Sequence, residues 1–318
     1  VISVPSSRRF PPPDDVALSL AGQPRLASNL ICLASMVIWA AGLPAADLII
    51  PHMPPVALTA ARALLATVVL LPVWWIVDGR ETVLGANWLK GAWVGFITLG
   101  LASFFVIIAL RYNDPVTVAI VSAVMPVIGI LLECLADHRP FTRALAIGLI
   151  LSVAGGLIAV SGAEGEVSFG IGVLAALASV ALYTWGSRET VKAFPELTPL
   201  GRSTITIAGG AIVATLAALA DGLLRDQWPD WAAIGWPEFG GLAVFGIGSM
   251  AISQLLWIVS VGRIGIGAAS MHMNAVPFYV MLMVFMVGGP WNWWQTLGAA
   301  IVVTGAAIAQ GLLGGARR

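Results

Sequence analysis

Side chains that could bind or react are scarce in these 318 residues, and most lie inside long apolar runs. The polar ones recur at helical spacing. Cys32, Ser35, Trp39 and Gly42 fall on one stripe, and Ala176, Ser179, Tyr183 and Gly186 fall on another. Ser249, Ser253, Trp257 and Ser260 make a third, with Gln254 beside it and Ser103 at the matching place earlier in the chain. Hydroxyls, an amide and ring N–H or O–H groups recognise a solute by hydrogen bonding and stacking. Inside an apolar run such groups need partners, and a cavity supplies them. Ser270, Asn274 and Pro277 share one helical face, whereas His272 points about 200° from Ser270 at roughly 100° per residue. One of these two faces is expected to meet the cavity. Arg62 lies about 10 Å into its apolar run, at 1.5 Å per residue. Its expected role is structural or gating, with snorkelling or the holding of a carboxylate as alternatives. Glu133 falls at a different depth and reads as an interfacial carboxylate.

This inventory excludes several chemistries. His52, His138 and His272 fall at three different depths, so no His-Glu-x-x-His or Ser/His/Asp set can be assembled, and an integral membrane enzyme is the remote alternative. Cys32 and Cys134 are too few for a disulfide framework or a metal site, and no metal or cofactor is expected. No ATP-binding motif is present, and no strand precedes Gly265-Ile266-Gly267. A net charge of zero argues against nucleic acid as partner.

The elements that must position these residues are membrane spans. Hydrophobic residues make up 59% of the chain, charged residues only 10%, and mean hydropathy is +0.94. A soluble domain carries about a quarter charged residues. Runs of about 20 apolar residues fall at 26–46, 55–77, 90–110, 114–135, 142–162, 168–187, 200–221, 238–260, 264–287 and 292–313. Residues 1–25 read as a mobile cytoplasmic tail with no cleaved signal peptide, and 314–318 as a second short tail. With both termini inside, Arg8, Arg9, Arg25, Arg80, Lys90, Arg139, Arg143, Arg188, Lys192, Arg202, Arg263, Arg317 and Arg318 are cytoplasmic, and only Arg111 and Arg225 are outside. Trp74, Trp75, Trp88 and Trp93 flank an inner link. Trp228, Trp231 and Trp236 occupy one outer link, and Trp291, Trp293 and Trp294 another. All ten are expected in interfacial belts.

The apolar chain is also written twice. Leu33-Ala34-Ser35-Met36-Val37-Ile38-Trp39 returns as Leu177-Ala178-Ser179-Val180-Ala181-Leu182-Tyr183. Asp78-Gly79 returns as Asp221-Gly222, Met125-Pro126 as Val276-Pro277, and Gly148 and Gly155 as Gly298 and Gly305. Five spans per half is an odd number, so repeats 26–162 and 163–313 enter the membrane from opposite sides. The expected fold is an all-α integral membrane protein of ten helices, an inverted five-plus-five repeat around a central cavity. In it Trp39 lies toward the outer side and Tyr183 toward the inner side, two aromatic plugs suited to alternating access.

This pattern resembles the drug/metabolite transporter superfamily in its EamA-type branch. Trp39-Ala40-Ala41-Gly42 resembles the first-span Trp-Gly region of that branch, and Ala61-Arg62-Ala63-Leu64-Leu65 its second-span arginine. Met125-Pro126-Val127 resembles its fourth-span proline, and Gly148 with Gly155-Gly156 its fifth-span glycines. The acidic-basic pair after span four is matched only loosely, by Asp137-His138-Arg139. The resemblance covers residues 26–313. It implies a multi-pass protein of the bacterial inner membrane that exports small metabolites without ATP. Amino-acid exporters of the YddG type fit the neutral, aromatic cavity, with multidrug export as the alternative. Gly42, Arg62, Pro126 and Pro277 are the expected structural or gating positions. The sequence fixes no oligomeric state and no coupling ion, and His272 is the candidate if protons are coupled.

Overall fold

The structure is a computed structural model that describes residues 25–136, 142–161 and 170–309, and among these it is helical with no strand. Helix α1 runs Arg25–Asp47 and α2 Pro55–Asp78. A short α3, Arg80–Gly85, leads to α4 (Trp88–Gly95), a π-helical turn at Phe96–Leu101 and α5 (Ala102–Tyr112). Then come α6 (Pro115–Ser122), α7 (Met125–Ala136) and α8 (Arg143–Ser161). The second half opens with α9 (Ile171–Ala193) and α10 (Pro199–Arg225). It continues through α11 (Trp236–Ala243), a second π-helical turn at Val244–Ile252 and α12 (Ser253–Ser270). A 3-10 segment, Met271–Ala275, precedes α13 (Val276–Met286), and α14 spans Trp293–Ala309. Among the described residues, six stretches are long and apolar enough to cross a membrane: Ala27–Asp47, Pro55–Asp78, Trp88–Tyr112, Ile171–Ala193, Pro199–Arg225 and Trp236–Ile266.

The starts of these helices are written in the sequence. Pro55, Pro115 and Pro199 each occupy a first-turn position, where the missing N–H costs nothing. Asp114 caps α6 by accepting from the amides of Val116 at 2.9 Å and Thr117 at 3.0 Å, and Thr198 caps α10 by accepting from that of Gly201. Asp114 also accepts from Gln295 Nε2 at 2.9 Å, which ties α6 to α14. At the other end of the molecule, Asp78 accepts from Trp74 Nε1 at 3.0 Å and from the Thr198 hydroxyl. Lys90 Nζ donates to the carbonyl of Ala193 and Arg202 Nε to that of Phe194, so two cations finish the C-terminal end of α9.

Glycine brings the helices into close register. A Cβ on Gly95 would stand 1.9 Å from the carbonyl oxygen of Thr206 in α10, and one on Gly155 2.7 Å from that of Gly298 in α14. Both residues therefore serve backbone-to-backbone approach. The outer surface is apolar: Trp236, Leu89, Leu224 and Val287 are all more than four-fifths exposed, as a lipid-facing surface requires.

Several expectations change. The spans read as 114–135 and 264–287 are not continuous. The first breaks at Ala123-Val124, between α6 and α7, and the second passes through Met271–Ala275 after a kink at Gly265, whose φ is +80°. Each break lies just ahead of a proline, Pro126 or Pro277, which lacks the N–H an uninterrupted helix would use. Trp74 is not in an interfacial belt. It is fully buried, donating to Asp78, whereas Trp236, Trp293, Trp294, Trp93 and Trp231 are exposed as expected. Residues 1–24, Asp137-His138-Arg139, the link 162–169, the tail 314–318 and the side chain of Glu133 lie outside the described residues.

Candidate substrate cavity

Where the two halves face each other, a cavity of about 60 Å³ opens between α1, α2, α5, α6, α7, α9, α12 and the two π turns. At about 10–15 Å³ per water position it has room for a handful of waters. Much of its wall comes from positions that match in the repeat expected from the sequence. Met36 and Trp39 line it, and so do their counterparts Val180 and Tyr183. The same holds for Thr98 with Ser249, Leu99 with Met250, Ala102 with Ser253, Ser103 with Gln254 and Ser122 with Met273, all at one constant spacing.

The seams of the cavity repeat this pairing. Ser35 Oγ in α1 donates to the carbonyl of Ser253 at 2.8 Å, and Ser179 Oγ in α9 donates to the carbonyl of Ala102 at 2.7 Å. Ser253 and Ala102 are each the first residue after a π turn. The first seam carries an extra bond, since Ser253 Oγ returns a donation to the carbonyl of Ser35 at 3.0 Å. Glycines close the same seams. A Cβ on Gly42 would meet Ser249 at 2.5 Å, and one on Gly186 would meet Thr98 Oγ1 at 1.9 Å.

Aromatic and amide groups organise the wall between them. Tyr183 Oη donates to Gln254 Oε1 at 2.6 Å. Its ring stacks on Trp257, with centroids 6.2 Å apart and planes at 29°. Trp257 is fully buried behind it and donates Nε1 to Ser187 Oγ at 3.0 Å. Arg62 contributes the cavity's charge. It is only 5% exposed, and its guanidinium carbon lies 3.8 Å from the centroid of the Phe245 ring, a close cation–π contact. Arg62 Nε and Gln254 Nε2 have no hydrogen-bond partner.

The structure thus brings Trp39, Ser103, Ser179, Tyr183, Ser253 and Gln254 to one cavity, together with Arg62. Ser35 stands just behind the wall on its partner Ser253, and Trp257 behind Tyr183. Neither expected face of the ninth span lines the cavity. Met273 does, because the 3-10 segment advances about 120° per residue and displaces the α-helical pattern. His272 Nδ1 and Asn274 Oδ1 are buried without a partner outside the lining. Gly42 packs on Ser249, while Pro126 and Pro277 are buried in the first turns of α7 and α13. Sequence reasoning missed Met36, Thr98, Ser122, Met125, Met250 and Met273. The repeat spacing flags Thr98 through Ser249, but an apolar methionine carries no signal of its own. Among the described residues no three of His, Cys, Asp and Glu converge as a metal site.

Residues 26–161 match the EamA-like transporter family. A curated Bacillus subtilis (strain 168) protein, "Uncharacterized transporter YyaM", is 24% identical over 232 residues, which cover 69% of this chain and 74% of that protein. A solved crystal structure at 21% identity superposes with a TM-score of 0.67 over 91% of this chain and 98% of its own, a likeness of fold. These findings liken the chain to multi-pass membrane transporters, and the long apolar helices agree with a bilayer around it.

Proposed function

We propose that the chain is a secondary transporter that exports small metabolites, most of all amino acids with aromatic or other apolar side chains, across the bacterial inner membrane by alternating access and without ATP. One observation carries this reading: the cavity wall is built from matching residues of the two halves. An inverted five-plus-five repeat of ten spans accounts for that wall. It also accounts for paired π turns, for helix breaks ahead of both Pro126 and Pro277, and for the matched bonds at Ser35 and Ser179. Both termini then lie in the cytoplasm, with Trp39 toward the outer side and Tyr183 toward the inner side.

Alternating access follows from the seams. Parting α1 from the chain around Ser253 opens one side, and parting α9 from the chain around Ala102 opens the other. Gly42 and Gly186 are the close contacts that must slide. A cavity of about 60 Å³ is smaller than the 300–1,000 Å³ of ordinary ligand pockets, so loading requires one seam to open. The methionines, Trp39 and Tyr183 would receive an apolar side chain, and the hydroxyls and Gln254 its polar end. His272 and Asn274, unpartnered beside the break, are the groups that the break's rearrangement would bring to the pathway. Arg62 in the wall disfavours cationic drugs.

The test is counterflow in proteoliposomes with labelled amino acids, with and without a pH gradient. Uptake of apolar amino acids that ignores the gradient supports a facilitative exporter or exchanger. Uptake only with the gradient turns attention to His272. No uptake of any amino acid overturns the substrate class.

A further inference from the structure

We infer that Arg62 and Gln254 together form the subsite for a carboxylate on the transported solute, so that the substrate class is apolar monocarboxylates in which an α-ammonium is optional. The inference rests on the reading of this cavity as the transport site.

The geometry isolates two donors. Among the described residues Arg62 is the one charged residue in the cavity wall, and a cation in so apolar a place is costly unless something of opposite sign meets it. The Phe245 ring covers one face of the guanidinium at 3.8 Å and leaves its edge, where the N–H donors are. Among the described residues no acceptor meets Nε. Gln254 approaches from α12. Its Oε1 is held by the Tyr183 hydroxyl at 2.6 Å, which fixes the amide so that Nε2 is the free end, and Nε2 also lacks an acceptor. Two buried donors from different helices, both without an acceptor, are complementary to an oxyanion. Among the described residues no Asp or Glu lines the cavity, so an ammonium finds no counter-charge from them. The lining also includes Met36, Met125, Met250 and Met273, whose flexible thioethers adapt to apolar groups of varied outline. Recognition is therefore strict about the anion and tolerant about the rest.

The experiment uses the purified full chain in detergent. Thermal unfolding is followed with straight-chain monocarboxylates, their matched primary amides and their matched primary amines. Acids raise the midpoint, whereas amides and amines do not. Arg62→Lys keeps a reduced response to acids, and Arg62→Gln weakens apparent acid affinity by more than about tenfold. In counterflow of a labelled apolar amino acid, its desamino acid competes and its decarboxylated amine does not. Amines or amides that stabilise or compete as well as acids would overturn the subsite. A full acid response in both Arg62→Gln and Gln254→Ala would do the same. Should Arg62→Gln not fold, Gln254→Glu decides: a second carboxylate at this place abolishes the acid response, and an undiminished response sinks the proposal. If no amino acid is carried but acids still stabilise the wild type and not Arg62→Gln, the amino-acid reading falls and the subsite stands. If acids do not stabilise the wild type, the subsite falls whatever is carried.

Discussion

At the scale of single residues, Tyr183 is the hinge of the wall: its hydroxyl orients Gln254 and its ring rests on Trp257. Gln254→Ala removes the acceptor for that hydroxyl and one free donor. It is expected to lower transport about tenfold while size-exclusion profiles stay those of folded protein. Trp257→Phe keeps the stacking but removes the bond to the Ser187 hydroxyl. It should lower the unfolding midpoint by an amount equivalent to about 1 kcal/mol, with a smaller effect on transport than Gln254→Ala. The polar stripes through Trp39, Ser179 and Gln254 were legible because a polar residue inside an apolar run advertises a need for partners. The burial of Arg62 was not. A cation at its depth in a span can snorkel or turn inward, and the ring of Phe245, remote in sequence, decides between them.

At the scale of helices, the glycines separate contact from surface. Gly186→Ala drives a methyl into Thr98 at the seam beside α9, whereas a methyl on Gly240 meets nothing within 4 Å. Gly186→Ala is expected to slow transport severely and to lower thermal stability. Gly240→Ala should leave transport unchanged and add up to about 1 kcal/mol through helix propensity. Comparing both variants by unfolding in detergent and by proteoliposome uptake checks the pair. The repeated prolines were visible in the sequence, but their consequence was not, because Pro126 and Pro277 read equally well as residues inside a helix or at its first turn. The choice depends on packing around Ala123-Val124 and Met271–Ala275, and it moved the lining from His272 or Asn274 to Met273. Hydropathy alone reads through such breaks because the residues on both sides are apolar. The π turns have no signature that composition reveals.

At the scale of the whole molecule, the two ends differ in how they are tied. Asp78, Lys90 and Arg202 pin the segment after α9, and Asp114 with Gln295 ties α6 to α14 at the other end. In the proposed orientation, with both termini inside, these would be the cytoplasmic and outer ends respectively. A single cysteine at Asp226 in a Cys32/Cys134-free background should then react with an impermeant maleimide in intact cells. One at Ala86 should react only after permeabilisation, and the reverse pattern would invert the orientation. The charge bias across the links made this prediction available from sequence, whereas the way each end is tied needed coordinates.

The matched seams also have a consequence for the membrane that hosts them. A space for a handful of waters, walled by methionine and ring carbon and carrying the positive charge of Arg62, is a poor conductor: cations are repelled, and the space is too small for a continuous file of waters to carry protons. Vesicles containing the protein should therefore hold a proton gradient as long as empty vesicles do, and a pH-sensitive dye sealed inside them measures this directly. Solute export and the insulation on which cellular energy storage depends would then be served by the same few side chains.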